Sequence, residues 1–143
     1  MPVEEACIGC RLCEVACVTE HSKSKDVIKA FKEETPRPRP RNVLEEKGPE
    51  SFSLCCRHCT EPHCVEACIA GAMVLDEETG RVFHFPKKCV GCWSCVMSCP
   101  FGAIKMDRER SVTSKCDLCP DRQVPACVEA CPNRALILVE VEE

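Results

Sequence analysis

A small α+β fold, as one domain or as two small, intimately packed modules, is what this sequence predicts. Three observations carry that expectation: cysteines that recur in four groups of four, strand and helix signals that are all short, and too few apolar residues for an ordinary core. The chain has 143 residues, and 17 of them are cysteine. Hydrophobic residues reach 45% only because cysteine is counted among them, and aromatics amount to 4%. Without cysteine about a third of the chain is ordinary hydrophobe, which is marginal for a domain of this size. Something besides aliphatic packing has to hold the chain together.

The composition excludes several classes. No apolar run approaches the roughly 18 residues that span a bilayer. The N-terminal stretch MPVEEACIGC has neither a charged segment leading into an apolar one nor a twin arginine, so no export signal is expected and a cytoplasmic location is. Disulfides are rare in that reducing setting, and an odd cysteine count does not suit a complete disulfide framework. A formal net charge of −4 offers no field for nucleic acid. Metal is what remains.

The cysteine groups are regular. The first is Cys7-x2-Cys10-x2-Cys13-x3-Cys17 and the second Cys56-x2-Cys59-x4-Cys64-x3-Cys68. The third is Cys89-x2-Cys92-x2-Cys95-x3-Cys99 followed by Pro100, and the fourth Cys116-x2-Cys119-x7-Cys127-x3-Cys131 followed by Pro132. This is a fourfold internal repeat with unequal insertions in the even-numbered groups. Cys55 is left over, either as a spare thiol or as a substitute for Cys56.

The elements between the groups are read as follows. Asp26 is a plausible N-cap for a helix whose apolar stripe is Val27, Ile28 and Phe31. The alternating Thr35-Pro36-Arg37-Pro38-Arg39-Pro40-Arg41 favours an extended polyproline II segment, which is either a solvated basic strap or a docking arm for an acidic partner. Ala72–Asp76 and Arg81–Phe85 flank Glu77-Glu78-Thr79-Gly80 as a β-hairpin. Ala103–Asp107 and Ala135–Val141 read as further strands, and short helices are expected to begin near the last cysteine of each group.

Chemistry follows from the spacing. C-x2-C-x2-C gathers three thiolates around one corner of a compact cage and turns the intervening amides toward the sulfurs. A cubane [4Fe–4S] cluster takes four thiolates, and in a C-x2-C-x2-C-x3-C-P run the fourth belongs to the other cluster of a pair. Zinc is the alternative for a single C-x2-C, but its sites generally use two separated pairs. Four triplets, each with a cysteine four positions beyond its third, point to four [4Fe–4S] clusters on sixteen thiolates. At about −2 per cluster the loaded chain would carry about −12. A compact chain of this length has a diameter on the order of 37 Å, so four clusters would lie on the order of 10 Å from their neighbours, as a relay.

No dinucleotide fingerprint or phosphate loop competes with this reading. His21, His58, His63 and His84 are scattered. His58 and His63 fall within the second group, where they either hydrogen-bond a cluster sulfur or serve as structural or solvent-facing residues. Trp93, between ligands of the third group, is expected to pack against a cluster and shield it from water.

Along nearly its whole length the chain resembles the four-cluster ferredoxin-type electron-transfer subunits of bacterial and archaeal redox complexes. The motifs that carry the likeness are CIGCRLCEVAC, CRHCTEPHCVEAC, CVGCWSCVMSCP and CDLCPDRQVPACVEACP. That family includes the iron–sulfur subunits of dimethyl sulfoxide reductase, formate dehydrogenase and formate hydrogenlyase. Within it, CIGCRLCEVACVTEHSKSKD followed by RPRPR is most similar to the small subunits associated with carbon monoxide dehydrogenase. Similar short subunits accompany tungsten-containing aldehyde oxidoreductases.

The resemblance implies an α+β fold of two intertwined bacterial-type 2[4Fe–4S] ferredoxin modules with pseudo-twofold symmetry. Residues 1–20 with 108–143 would form the outer module, 55–107 the inner, and 21–54 a basic proline-rich insertion. It also implies nested ligation. Cys7, Cys10, Cys13 and Cys131 would hold one cluster, and Cys116, Cys119, Cys127 and Cys17 its module partner. Cys56, Cys59, Cys64 and Cys99 would hold a third, and Cys89, Cys92, Cys95 and Cys68 the last. Cys17 and Cys68 depart from the family pattern in preceding Val18 and Ile69 instead of proline.

The implied function is non-catalytic transfer of single electrons. One partner would be a larger catalytic redox subunit of carbon monoxide dehydrogenase or molybdenum/tungsten type. The other would be a flavin-containing oxidoreductase, a hydrogenase or a soluble ferredoxin. Self-association into longer relays, a freestanding polyferredoxin shuttle and a zinc-binding scaffold are the alternatives, and neither nucleic acid nor a membrane span is expected.

Overall fold

A computed structural model describes residues 2–140 of the chain. In chain order its elements are helices α1 (Leu12–Glu20) and α2 (Val27–Lys32), strands β1 (Val43–Lys47) and β2 (Glu50–Leu54), and helix α3 (His63–Glu66). Strands β3 (Met73–Asp76) and β4 (Arg81–His84), helix α4 (Ser94–Ser98), strands β5 (Lys105–Asp107) and β6 (Val112–Ser114), and helix α5 (Ala126–Glu129) follow. Among the described residues, short helices and three two-stranded antiparallel sheets make this a small α+β protein. The chain divides into two compact units, Met1–Cys55 with Cys119–Glu143, and Cys56–Leu118.

In the first unit α1 packs against α2 and α5. Asp26 caps α2, its carboxylate accepting from the amides of Ile28 and Lys29 at 3.0 Å each. The expected stripe of Val27, Ile28 and Phe31 is not the buried face, however. Val27 and Ile28 are exposed, and Ala30 is the residue that α2 buries. A six-residue helix covers too little surface to bury a broad stripe, so the small side chain takes the contact. Residues 35–41 form neither helix nor strand. Arg37 lies 5.8 Å from the Phe31 ring centroid, Pro38 is buried, and the Arg41 amide donates to Cys17 Sγ at 3.2 Å.

The insertion also contains the β1–β2 hairpin, which proline content and charge concealed from the sequence reading. It pairs from Val43↔Leu54 to Lys47↔Glu50 around the turn at Gly48 and Pro49. The hairpin lies over the first cysteine group. Glu14 accepts from the Leu44 amide at 2.8 Å, Arg11 bonds Glu46 at 2.8 Å, and Ser51 Oγ donates to Cys7 Sγ at 3.3 Å. Cys13, Leu44 and Leu136 form the small core here. The strand expected at 135–141 is a correction: Leu136 makes only an isolated antiparallel bridge to Pro2, and residue 141 lies outside the described residues.

In the second unit the β3–β4 hairpin pairs from Met73↔His84 to Asp76↔Arg81, within a residue of the expected bounds. Lys105–Asp107 falls inside the strand expected at 103–107 and pairs with Val112–Ser114, a strand not anticipated. The core is Met73, Cys95 and Ile104. Each unit thus uses a cysteine as core material.

Helices are displaced from expectation throughout. α3, α4 and α5 end before the last cysteine of their groups, and α1 runs through Cys17. The cause lies in the turn that follows. In three groups the residue three beyond the last cysteine (Gly71, Gly102, Arg134) has positive φ, and its amide bonds back to that cysteine's carbonyl at 3.3–3.4 Å. Chain reversal there leaves no room for a helix to start. The first group has no such turn, and α1 continues through Val18 to Glu20.

One close approach is tight enough to test. Gly91 has φ +72°, and a Cβ there would sit 2.5 Å from the carbonyl oxygen of Ser111. Left-handed backbone costs a side chain about 1–2 kcal/mol, before any clash with backbone. Gly91→Ala is therefore expected to lose more than about 2 kcal/mol of holoprotein stability in anaerobic denaturant titration.

Candidate metal centres

The same local turn builds each cysteine group. The residue before the second cysteine has positive φ in all four: Gly9, His58, Gly91 and Leu118. This bend aims amides back at the first thiol. His58 N–H donates to Cys56 Sγ at 3.5 Å and Leu118 N–H to Cys116 Sγ at 3.4 Å. Past the fourth cysteine, Ala72 N–H donates to Cys68 Sγ and Ala135 N–H to Cys131 Sγ, both at 3.2 Å. Such N–H···S contacts fix the direction in which each sulfur points.

Three cavities gather the thiols. One, with an empty volume of about 370 Å³, is lined by Cys7, Cys10, Cys13 and Cys131. A second, of about 390 Å³, is lined by Cys56, Cys59, Cys64 and Cys99. A third, of about 280 Å³, is lined by Cys68, Cys89, Cys92 and Cys95. In each, three thiols come from one group and the fourth from another. Of the other grouped cysteines, Cys17, Cys119 and Cys127 belong to the first unit and Cys116 to the second. None of the seventeen cysteines, all of them described residues, is joined in a disulfide. Four soft sulfur donors around an apolar hollow suit an iron–sulfur cluster, whereas hard cations require oxygen ligands.

Burial opposes ionisation of three of the thiols. It pushes Cys64 up to about 11 and raises Cys13 and Cys95 as well. Hydrogen bonds from Ser94 lower the exposed Cys92. Cys55 packs beside Cys127 in the first unit, and the hydrogen bond between them brings its thiol down to about 7. Cys56, not Cys55, lines the second cavity.

The histidines separate clearly. His63 is exposed and lies 3.6 Å from Glu66. His84 pairs with Thr113 Oγ1 at 3.0 Å, and His21 with the Cys17 carbonyl at 2.9 Å. His58 lines the second cavity, where burial together with Lys115 and Arg81 lowers its pKa to about 3, so the ring is neutral. Trp93 lines the third cavity. The sequence reading missed Lys115, a buried lysine on the second cavity whose only sequence signal is its place immediately before Cys116.

Residues 49–141 match the family described as the 4Fe–4S dicluster domain. The chain belongs to this ferredoxin-type iron–sulfur family. Its relatives cover nearly all of it. YsaA of Escherichia coli (strain K12) is 37% identical over 140 residues, spanning 96% of this chain and 86% of that protein. An iron–sulfur protein of Rhodospirillum rubrum is 36% identical over 152 residues, spanning 95% and 78%. The electron transport protein HydN of Escherichia coli (strain K12) is 36% identical over 151 residues, spanning 94% and 83%. This chain is an iron–sulfur electron transport protein binding 4Fe–4S clusters. No helix among its described residues is long and apolar enough to cross a membrane.

Proposed function

We propose that the chain holds four [4Fe–4S] clusters on the sixteen grouped cysteines and passes single electrons from a catalytic redox subunit to another subunit or a soluble carrier. The observation that carries this reading is the repeated three-plus-one set of thiols around a common cavity. When bound, the clusters supply one-electron redox chemistry, and for each electron taken from the donor one leaves to the acceptor. The chain's own residues ligate, exclude water and donate N–H···S hydrogen bonds.

Exposure suggests where electrons pass in and out. Cys10 is exposed beside exposed Ile8 and Leu12, and Cys92 beside exposed Val90. A thiol at the surface within an apolar rim suits handover to a docked partner. Resemblance of the motifs favours a donor of carbon monoxide dehydrogenase or molybdenum/tungsten type.

Anaerobic purification with iron and sulfide analysis tests the cluster count, and about 16 irons per chain are expected. Affinity capture under the same conditions tests the assignment to a complex. A large redox subunit should co-purify in stoichiometric amount, and its absence would favour a freestanding shuttle.

A further inference from the structure

We infer that Lys115 and His58 make the cavity of Cys56, Cys59, Cys64 and Cys99 the highest in potential of the three thiol-lined cavities, the one among them where an electron rests. This rests on the reading that the cavity holds a [4Fe–4S] cluster. The observation behind it is a buried cation and an unpartnered N–H donor on the same cavity, with one residue positioning both.

Lys115 is 3% exposed. Its Nζ donates to the carbonyls of Val82 at 2.6 Å and Cys116 at 2.8 Å, and among the described residues it forms no ion pair. Two neutral carbonyls satisfy two of three N–H bonds, and no carboxylate pairs with the ammonium directly, although Asp117 is near enough to act on His58. Burying an unpaired ammonium costs several kcal/mol, so the fold needs an anion nearby. A thiolate-ligated cluster in the cavity Lys115 lines is such an anion.

His58 adds a directed donor. The Val82 amide donates to its Nδ1 at 3.0 Å, which makes that nitrogen the acceptor and places the ring proton on Nε2. Nε2 is buried and has no hydrogen-bond partner. In a cavity lined by four sulfurs, the available acceptor is sulfur.

Both contacts fall to Val82 because of its place in the ladder. Phe85 donates to the Ala72 carbonyl at 2.8 Å, and antiparallel pairs alternate between bonded and non-bonded. In the register that pairs Val82 with Leu75, Val82 occupies a non-bonded position and turns its amide and carbonyl away from β3. His58 takes the first and Lys115 the second.

Reduction adds one negative charge to a cluster. A buried ammonium and an N–H···S bond both stabilise that state and raise the potential. The other two cavities lack this pair. The third is lined by Trp93, Thr113 and His84 but by no lysine or arginine, and the cation on the first, Arg11, is exposed and bonded to Glu14 and Glu46.

Potentiometric titration of the holoprotein, followed by electron paramagnetic resonance, tests the inference. Lys115→Gln keeps hydrogen-bonding capacity and removes the charge. It should move the oxidised-to-reduced ratio of one cluster at least tenfold toward oxidised at fixed potential, a fall of about 59 mV for a one-electron couple. Lys115→Arg should restore most of that shift, and His58→Leu should give a smaller one of the same sign. The affected cluster should be the one lost in Cys64→Ser. Full iron content with unchanged midpoints, or an equal shift in every cluster, would overturn the inference. Wild-type protein without iron and sulfide at that cavity would instead overturn the cluster reading beneath it, and metal analysis before the titration separates the two results.

Discussion

Replacing Cys68 by serine removes the paramagnetic signal of the cluster at Cys89, Cys92 and Cys95 and leaves that of the cluster at Cys56, Cys59 and Cys64 intact. That is the expected result, although Cys68 belongs by sequence to the second group and lies only four residues beyond Cys64. The geometry explains the crossing. A turn carries the chain from Cys68 to Gly71, and the Ala72 amide holds Cys68 Sγ at 3.2 Å, on the cavity that Cys89, Cys92 and Cys95 line. Cys99 makes the reciprocal move and lines the cavity of Cys56, Cys59 and Cys64. Packing of α3 on α4 brings the two exchanges together within one unit. Cys99→Ser should therefore show the opposite pattern. Each variant should fall from about 16 irons to about 12, because serine is a poor substitute for thiolate toward iron. Loss confined to the mutated residue's own group would show that each group ligates its own cluster, and the nested scheme would fail.

How much of this was legible in the sequence depends on what fixed each feature. Cysteine spacing is a local constraint, set by the reach of a few residues around one cage, so the groups and the short β3–β4 hairpin could be read directly. Features set by tertiary contact could not. The β1–β2 hairpin looks like a charged, proline-flanked connector, and only its fit over Cys7 through Ser51 and over α1 through Leu44 makes it a sheet. The helices sit before the fourth cysteines because reversal at Gly71, Gly102 and Arg134 follows them, and no propensity scale encodes that reversal. Arg134 adopts positive φ at a position where the other two turns have glycine, so even the glycine signal was incomplete. Lys115 was invisible because lysine normally marks surface, and its burial depends on a tertiary contact to the Val82 carbonyl, 33 residues away in sequence, besides the neighbouring Cys116 carbonyl.

Stripping iron and sulfide from the protein with a chelator under oxidising conditions should unfold it, and this is the largest structural effect expected. What would remain is weak. The longest helix has nine residues and three others have four or five, below the length at which isolated helices persist. All three sheets are two-stranded, and a lone hairpin is marginal in water. Each core cluster joins two aliphatic or thioether side chains to a cysteine, Leu44 and Leu136 with Cys13, and Met73 and Ile104 with Cys95. Those cysteines anchor the packing only while their sulfurs are tied to something, so cluster binding energy becomes folding energy. Reassembly should be pH-dependent with a definite sign. Burial raises Cys13, Cys64 and Cys95 above the ordinary thiol range, Cys64 to about 11. Near neutrality these thiols hold their protons and must release them on ligation, so cluster affinity should rise as pH increases toward their pKa values. Far-UV circular dichroism should collapse on chelation and return when iron and sulfide are restored anaerobically, with less iron required at pH 8.5 than at about pH 7. Colourless, metal-free protein that kept its spectrum and a cooperative melting transition would show that the aliphatic residues suffice after all.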